Sequence, residues 1–145
     1  MNVTGRIEDA ESAIDPRVAV NRATVQRYLD ALNAADADAV IACVAEDFVN
    51  EHTAIGGRNR YGRDEYRTAL TGFLADFAEL RYQPEALIAD GDRVAVPYRL
   101  SFRHRPSGDA PVEVRGVFVF RINDQALIAH RVDYWDSGEV DRQLG

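Results

Sequence analysis

The sequence predicts an α+β fold, a cone-shaped α+β barrel in which three N-terminal helices pack on a strongly curved antiparallel sheet. Two observations support this prediction. In the first half of the chain, apolar residues recur at helical spacing in three stretches. From Leu80 onward they alternate with other residues, which is typical of strands with one buried face. Helices followed by a strand meander indicate an α+β domain rather than a parallel α/β sheet.

The first helix is predicted to follow a flexible tail. Residues 1–15 are polar and aperiodic, so we expect a tail there and a single domain over residues 16–145. Asp15-Pro16 has the composition of a helix N-terminus, with a capping side chain before a proline. The helix is predicted to end near Asn33. Its inward stripe consists of Val18, Asn21, Val25, Tyr28, Leu29 and Leu32.

Two more helices are predicted, with a strand and a loop between them. Asp36 begins the shorter one, and Phe48–Thr53 reads as a strand whose even positions share one face. Ala54–Gly62 is glycine-rich and basic, which indicates a loop. The third helix is predicted from the helical spacing of its apolar residues Tyr66, Leu70, Phe73, Leu74 and Phe77.

The remaining chain predicts a meander of antiparallel strands. Leu80–Ala89 is interrupted by Pro84, which favours an edge strand or a bulge, and Asp90-Gly91-Asp92 is a hairpin signal. Two long alternating strands follow, and a last strand begins at Ile128. Their inward residues are predicted to be Val94, Val96, Tyr98, Leu100 and Phe102, then Val112, Val114, Gly116, Phe118, Phe120 and Ile122.

Composition excludes several classes of function. The 17 basic and 24 acidic residues give a net charge of -7 with no basic stripe, so no nucleic-acid partner is expected. The single Cys43 provides neither a disulfide nor a thiolate metal site. No apolar run reaches the roughly 20 residues of a membrane span, and the acidic start is unlike a signal peptide. We therefore expect a cytoplasmic protein without a membrane partner. The three histidines lack metal-ligand spacing, so no metal or cofactor is expected.

The last strand contains an acidic residue on its inward face. Asp133 lies two residues before Trp135, so both side chains point to the same face of the strand. A carboxylate buried on that face is costly unless it is hydrogen-bonded or protonated. Such a group is a candidate catalytic acid or base, with a pKa raised by burial. The alternative is a structural aspartate paired with Arg131 or Arg115, and the sequence leaves both open.

A bent sheet and its helices enclose a conical space, which is only a core if side chains fill it completely. Several polar residues are predicted to face it, namely Asn50, His52, Tyr28, Tyr98 and Asp133. A mainly apolar cavity with a few convergent polar groups is typical of a small-molecule site. The alternative for the tyrosines and His52 is an ordinary structural role in the core.

Three segments carry a resemblance to a known family: Val25–Ala42, Glu46–His52 and His130–Gly145. Together with the meander, they resemble the SnoaL-like polyketide cyclases of the nuclear-transport-factor-2-like superfamily over nearly everything after Asp15. The resemblance implies that Asp133 is the general acid/base of an intramolecular aldol closure and that Asn50 lines the site. The glutamine and histidine of those cyclases would fall at Gly116 and Phe118, so His52 is the expected replacement as a group that holds the carbonyl.

Two related enzyme groups match less completely. Tyr28 is similar in position to the oxyanion tyrosine of the ketosteroid isomerases, but their two aspartates would fall at His52 and near Phe118. The end of the chain, Asp133–Asp136, is similar to that of the limonene-epoxide hydrolases. Their mechanism also needs an arginine and an aspartate two residues apart on the strand that here contains Tyr98–Ser101, and this sequence has no acidic residue between Arg93 and Pro106.

The resemblance and the residues together predict a cofactor-free lyase or isomerase that acts on a carbonyl-bearing, polyketide-like molecule. Its catalytic residues are predicted to be Asp133, His52 and Asn50. The predicted substrate contacts are Tyr28, Tyr98, Phe118, Phe120, Trp135 and Arg131. The alternatives are an epoxide hydrolase of the limonene type and a non-catalytic binding or interaction module. A homodimer is also expected, because an apolar outer face needs covering; that face would consist of Val117, Val119, Val132 and Tyr134.

Overall fold

The computed structural model describes residues 15–145. The predicted flexible tail lies outside the described residues except for Asp15. Within the described part are four helices: α1 (Arg17–Asn33), α2 (Ala37–Ile41), α3 (Arg63–Asp76) and α4 (Ser137–Leu144). The strands are β1 (Val44–His52), β2 (Arg60–Tyr61), β3 (Phe77–Pro84), β4 (Ile88–Asp90), β5 (Arg93–His104), β6 (Ala110–Ile122) and β7 (Ile128–Trp135).

The seven strands form one curved, unclosed sheet in the order β2-β1-β7-β6-β5-β3, with β4 also paired to β5. The meander from β3 to β7 is antiparallel, as predicted. The β1–β7 pair is parallel, so the sheet is mixed rather than wholly antiparallel. Parallel neighbours need a long connection, and here it contains α3 and most of the sheet. The cone-shaped α+β fold is confirmed.

The core lies between the helices and the concave face of the sheet. Most of the predicted α1 stripe is buried, including Tyr28 and Leu29, at 0% and 1% exposure. The inward residues of β5 and β6 are buried with it, except for the half-buried Gly116. Asp36 caps α2 by accepting a hydrogen bond from the Ala39 N–H at 3.1 Å. This cap explains why the chain starts a second helix immediately after α1.

Several elements differ from the prediction; strand β1, for example, begins at Val44 rather than at Phe48. Phe77 was assigned to the third helix by spacing, but it is the first residue of β3 and stacks on Phe102. Helix α4 was not predicted. Its signal is Asp136, whose carboxylate accepts from the Gly138 N–H at 2.9 Å as an N-cap. Pro84 ends β3, which is an edge strand as predicted.

Candidate active site

A cavity of about 410 Å³ opens between the concave sheet, α3, α4 and the loop after β1. Its surface is mainly apolar, with polar groups concentrated on β1 and β7. The lining residues are Asn50, His52, Gly56, Gly57, Arg58, Arg60, Ala69, Leu70, Phe73, Phe77, Tyr82, Tyr98, Leu100, Phe102, Val114, Arg131, Asp133, Trp135 and Val140. An apolar pocket with a few convergent polar groups is the usual form of a small-molecule site.

The parallel pairing of β1 and β7 places the polar lining residues in two adjacent rows. Asn50 is in register with Arg131, and His52 is in register with Asp133. Because alternate residues of a strand face the same side, all four side chains line the cavity. The sequence predicted these residues one by one, and the sheet brings them together.

Asp133 is buried at the cavity wall with 6% of its surface exposed. The Tyr98 hydroxyl donates to its Oδ1 at 2.6 Å, and its Oδ2 lies 3.7 Å from Nδ1 of His52. Burial raises the pKa of Asp133, while the charge of Arg131 and the hydrogen bond from Tyr98 oppose this shift. The predicted direction of the pKa shift is therefore confirmed.

The structural alternative for Asp133 required a paired arginine. Arg115 is not that partner, because it lies on the outer surface and pairs with Glu85 at 3.0 Å. Arg131 donates to the Tyr28 hydroxyl at 2.6 Å, and within residues 15–145 no ion pair joins it to Asp133. The carboxyl group is therefore held by a tyrosine and left facing the cavity.

His52 connects the two rows of polar residues. Its Nε2 lies 3.3 Å from Nδ2 of Asn50, and its Nδ1 receives a hydrogen bond from Nε1 of Trp135 at 3.3 Å. Burial, with the charges of Arg131 and Arg60, lowers the pKa of His52 from 6.5 to about 4. The imidazole is therefore neutral near pH 7 and can exchange hydrogen bonds without adding positive charge to the cavity.

Arg131 lies over two of the residues that are predicted to contact substrate, Phe118 and Tyr28. Its guanidinium carbon lies 4.7 Å from the ring centre of Phe118, and its Nη1 reaches Tyr28. Tyr28 in turn shares a hydrogen bond with Tyr66, and Phe120 packs edge-on to Tyr28. Tyr28, Phe118 and Phe120 are fully buried and are not part of the lining. Of the predicted substrate contacts, Arg131 therefore reaches the cavity, and these three residues do not.

Tyr98 and Trp135 do line the cavity, but their polar atoms serve other side chains. Tyr98 is bound to Asp133 and Trp135 to His52, so neither is a free donor for a ligand. The sequence analysis did not identify Tyr82, which lines the cavity from β3 and packs against Tyr98 and Phe118. Tyr82 could have been identified because it lies two residues after Leu80, on the same buried face of β3. Burial and the charge of Asp133 raise the pKa of Tyr82, so its hydroxyl stays protonated.

The loop after β1 forms the mouth of the cavity, as its basic glycine-rich composition allowed. Gly57 packs so tightly on His52 that an added Cβ would lie 2.7 Å from the histidine Cβ. Arg58 and Arg60 lie at the same rim.

Across residues 15–145, no group of three His, Cys, Asp or Glu side chains is placed to hold a metal ion. No helix in that range has the length and apolar character needed to cross a membrane.

The family model of SnoaL-like domains matches residues 25–130. Among solved structures, a Shewanella denitrificans OS-217 protein assigned as a SnoaL-like polyketide cyclase has a TM-score of 0.77 and 16% identity, over 86% of this chain and 96% of that one. An LEH-like epoxide hydrolase of M. tuberculosis has a TM-score of 0.76 and 23% identity, over 89% and 92% of the two chains. The epoxide hydrolase/cyclase-like enzyme SalBIII of salinomycin pyran ring formation has a TM-score of 0.73 and 24% identity, over 82% and 92%. No curated protein matches the chain significantly.

Proposed function

The chain belongs to the family of SnoaL-like domains, and we propose that it is a cofactor-free enzyme that moves a proton beside a carbonyl group. Its substrate is a hydrophobic, polyketide-like molecule, and the reaction is an aldol cyclisation or an isomerisation. One observation carries the proposal: the carboxyl group of Asp133 lies buried at the wall of a mainly apolar cavity of about 410 Å³ with no arginine paired to it. A carboxyl group that is desolvated in this way is typical of a general acid or base.

In the proposed reaction, the Asp133 carboxylate takes a proton from the carbon next to the substrate carbonyl. The electron pair of the broken C–H bond moves into the carbonyl, which gives an enolate and a neutral Asp133. The enolate carbon then attacks a second carbonyl of the same molecule, and the alkoxide that forms takes the proton back from Asp133. In an isomerisation, Asp133 instead returns the proton to another carbon of the enolate. The raised pKa of Asp133 makes it a stronger base than an ordinary carboxylate.

The enolate oxygen needs hydrogen-bond donors, and the cavity supplies them beside Asp133. His52 is in register with Asp133 across the β1–β7 pair, and Asn50 lies two residues earlier on the same face of β1. Because His52 is neutral, its ring N–H can donate a hydrogen bond to the enolate oxygen without protonating it. Proton transfer by a positioned group is worth about 10²–10⁴-fold in rate, and donors to a developing oxyanion contribute about 10²–10³-fold.

The epoxide hydrolase alternative is less well supported. It needs an arginine and an aspartate two residues apart on β5, but Arg99 has an exposed side chain that reaches Glu85 and Glu113 on the outer face. The cavity-facing neighbours of Arg99 are Tyr98 and Leu100, and Leu100 offers no acid. A non-catalytic binding module remains the other alternative, and the following measurement separates it from an enzyme.

The test is exchange of the α-protons of 2-tetralone in D₂O, followed by NMR with wild-type protein, Asp133→Asn and Asp124→Asn. Asp124 lies in an exposed turn and provides the matched control. We expect catalysed exchange in the wild type and the control and a loss of about 10²–10⁴-fold in Asp133→Asn. Equal exchange with Asp133→Asn and wild type would show that Asp133 is not the base.

The homodimer and the cytoplasmic location stay predictions. Tyr134 is 49% exposed on the outer face, which leaves apolar surface for a second copy, whereas Val132 is already buried within one chain. Sedimentation at micromolar concentration should give about twice 16.2 kDa. A mass of 16.2 kDa would rule out the dimer. The independence from metal and cofactor also stays a prediction, to be checked by exchange assays after chelation.

A further inference from the structure

Two arginines and an asparagine form one row across three strands at the inner end of the mouth loop. Asn50 on β1 is in register with Arg60 on β2 and with Arg131 on β7. All three line the cavity. The row lies directly beside the His52–Asp133 row, so a ligand bound to one row is within reach of the other.

The row contains two buried polar atoms without partners. Within residues 15–145, Nε of Arg131 and Oδ1 of Asn50 have no hydrogen-bond partner, and their residues are only 5% and 4% exposed. Buried polar groups in folded proteins are nearly always hydrogen-bonded, and an unpaired one is costly. One of the atoms is a donor and the other an acceptor, and both belong to cavity-lining residues.

The row also carries positive charge without an ion-pair partner. Among residues 15–145, no ion pair includes Arg60 or Arg131, whereas seven other arginines have a carboxylate partner. In the part of the chain that the structure describes, Asp133 is the only acidic residue of the lining, and its Oδ1 accepts the hydrogen bond from Tyr98. The cavity is therefore cationic in a chain whose net charge is -7.

We propose that the Arg60–Asn50–Arg131 row binds the carboxylate of a hydrophobic aromatic hydroxy acid, and that the same molecule carries elsewhere the ketone on which Asp133 acts. The guanidinium groups donate to the carboxylate oxygens, which is the pairing that arginine geometry favours. Oδ1 of Asn50 accepts from the neighbouring hydroxyl group. The aromatic body packs against Phe73, Phe77 and Phe102. Carboxylate binding at this row defines the substrate class of the proposed enzyme. The reaction at Asp133 rests on the proposed function, whereas the binding itself does not.

The probe pair is 3-hydroxy-2-naphthoate and its neutral analogue 3-hydroxy-2-naphthamide, which differ mainly in charge. Trp135 is the sole tryptophan and lines the cavity, so its fluorescence reports binding, with calorimetry as the second readout. We expect the naphthoate to bind at least about tenfold more tightly than the naphthamide, because only the naphthoate forms charge-assisted hydrogen bonds with the arginines. Equal affinity for the two, or binding of neither, would overturn the proposal.

Variants test the row itself. Arg60→Gln and Arg131→Met should each reduce the preference for the anion, while Arg121→Gln, on the outward parity of β6, should retain it. Arg60 is only half-buried, so its variant remains informative if Arg131→Met fails to fold. A preference that survives in Arg60→Gln and in a folded Arg131→Met would contradict the assignment of the row.

Asp133→Asn separates this proposal from the proposed function. It removes the one negative charge near the row, so the naphthoate should bind more tightly and the naphthamide should be unaffected. Unchanged or weaker naphthoate binding would count against a carboxylate next to Asp133. If the variant shows the expected tightening but retains full proton exchange, the anion site stands and the catalytic proposal fails.

Discussion

Gly116 and Tyr98 face each other across β6 and β5 so closely that a Cβ at Gly116 would lie 2.3 Å from the Tyr98 hydroxyl oxygen. The tyrosine ring occupies the space that any other side chain at position 116 would fill. It can therefore extend its hydroxyl to Oδ1 of Asp133 at 2.6 Å. The glycine that departs from the pattern of the cyclases is thus the residue that lets Tyr98 hold the proposed base.

Gly116→Ala should displace Tyr98 and damage both stability and activity. The added methyl meets the Tyr98 ring and the Tyr134 carbonyl oxygen at 2.8 Å, so backbone or ring must move. Overpacking of this kind costs about 1–3 kcal/mol. Thermal melting and α-proton exchange measure the two effects.

Gly72→Ala is the matched control for that variant. Gly72 is an exposed residue of α3 with nothing within 4 Å of an added Cβ. Alanine there should stabilise the helix by about 0.5–1 kcal/mol and leave exchange unchanged. A Gly116→Ala protein as stable and active as Gly72→Ala would show that the Tyr98–Asp133 contact does not depend on the glycine.

Tyr98→Phe should raise the pKa of Asp133 further. The hydroxyl lowers that pKa by donating to the charged carboxylate, so its removal leaves the effect of burial less opposed. Because the proposed base is the carboxylate, the acidic limb of the pH–rate profile for α-proton exchange should move to higher pH. A limb that stays in place or moves to lower pH would mean that another group titrates.

The fold was predictable because its signals are local and periodic. The alternation over Val94–Phe102 and the turn at Asp90-Gly91-Asp92 appear in the structure as β5 and its hairpin. The parallel β1–β7 pair was not predictable, because it joins residues far apart in sequence and depends on the whole sheet. Helix α4 was missed because its eight residues contain only two apolar positions, and only the cap at Asp136 marks its start.

The sequence predicted most of the polar residues of the site but not which side chains reach the cavity. Parity alone placed Asp133, Trp135 and Asn50 toward the interior. Parity does not say whether a side chain reaches the cavity or lies behind another one. The length of Arg131 decides this for Phe118 and Tyr28, which it covers.

His52 should make the protein less stable as the pH falls from about 6.5 to about 4. Its pKa in the folded state is about 4, below the unfolded value of 6.5, so the unfolded chain binds the proton first. The stabilisation is complete above pH 6.5 and lost through pH 4, with an upper size of about 3 kcal/mol at 1.36 kcal/mol per pKa unit. Urea unfolding across this range should show a smaller slope for His52→Gln than for His104→Gln. Equal slopes would place His52 in an ordinary solvated environment.

Asp133→Asn should be at least as stable as the wild type at neutral pH. The folded-state pKa of Asp133 is raised, so its contribution to stability is present below the unfolded pKa and is lost as pH rises through the folded one. Above that pH, the wild type keeps a desolvated carboxylate, whereas asparagine is neutral and can still accept from Tyr98. The stability advantage of the variant should therefore shrink as the solution is acidified. Urea unfolding at several pH values measures this difference in stability.

A variant that is less stable than wild type at pH 7, with a deficit that grows with pH, would identify Asp133 as a structural aspartate held by favourable charge contacts. The expected pattern, together with the loss of α-proton exchange, is that of a residue kept in an unfavourable environment for its chemistry.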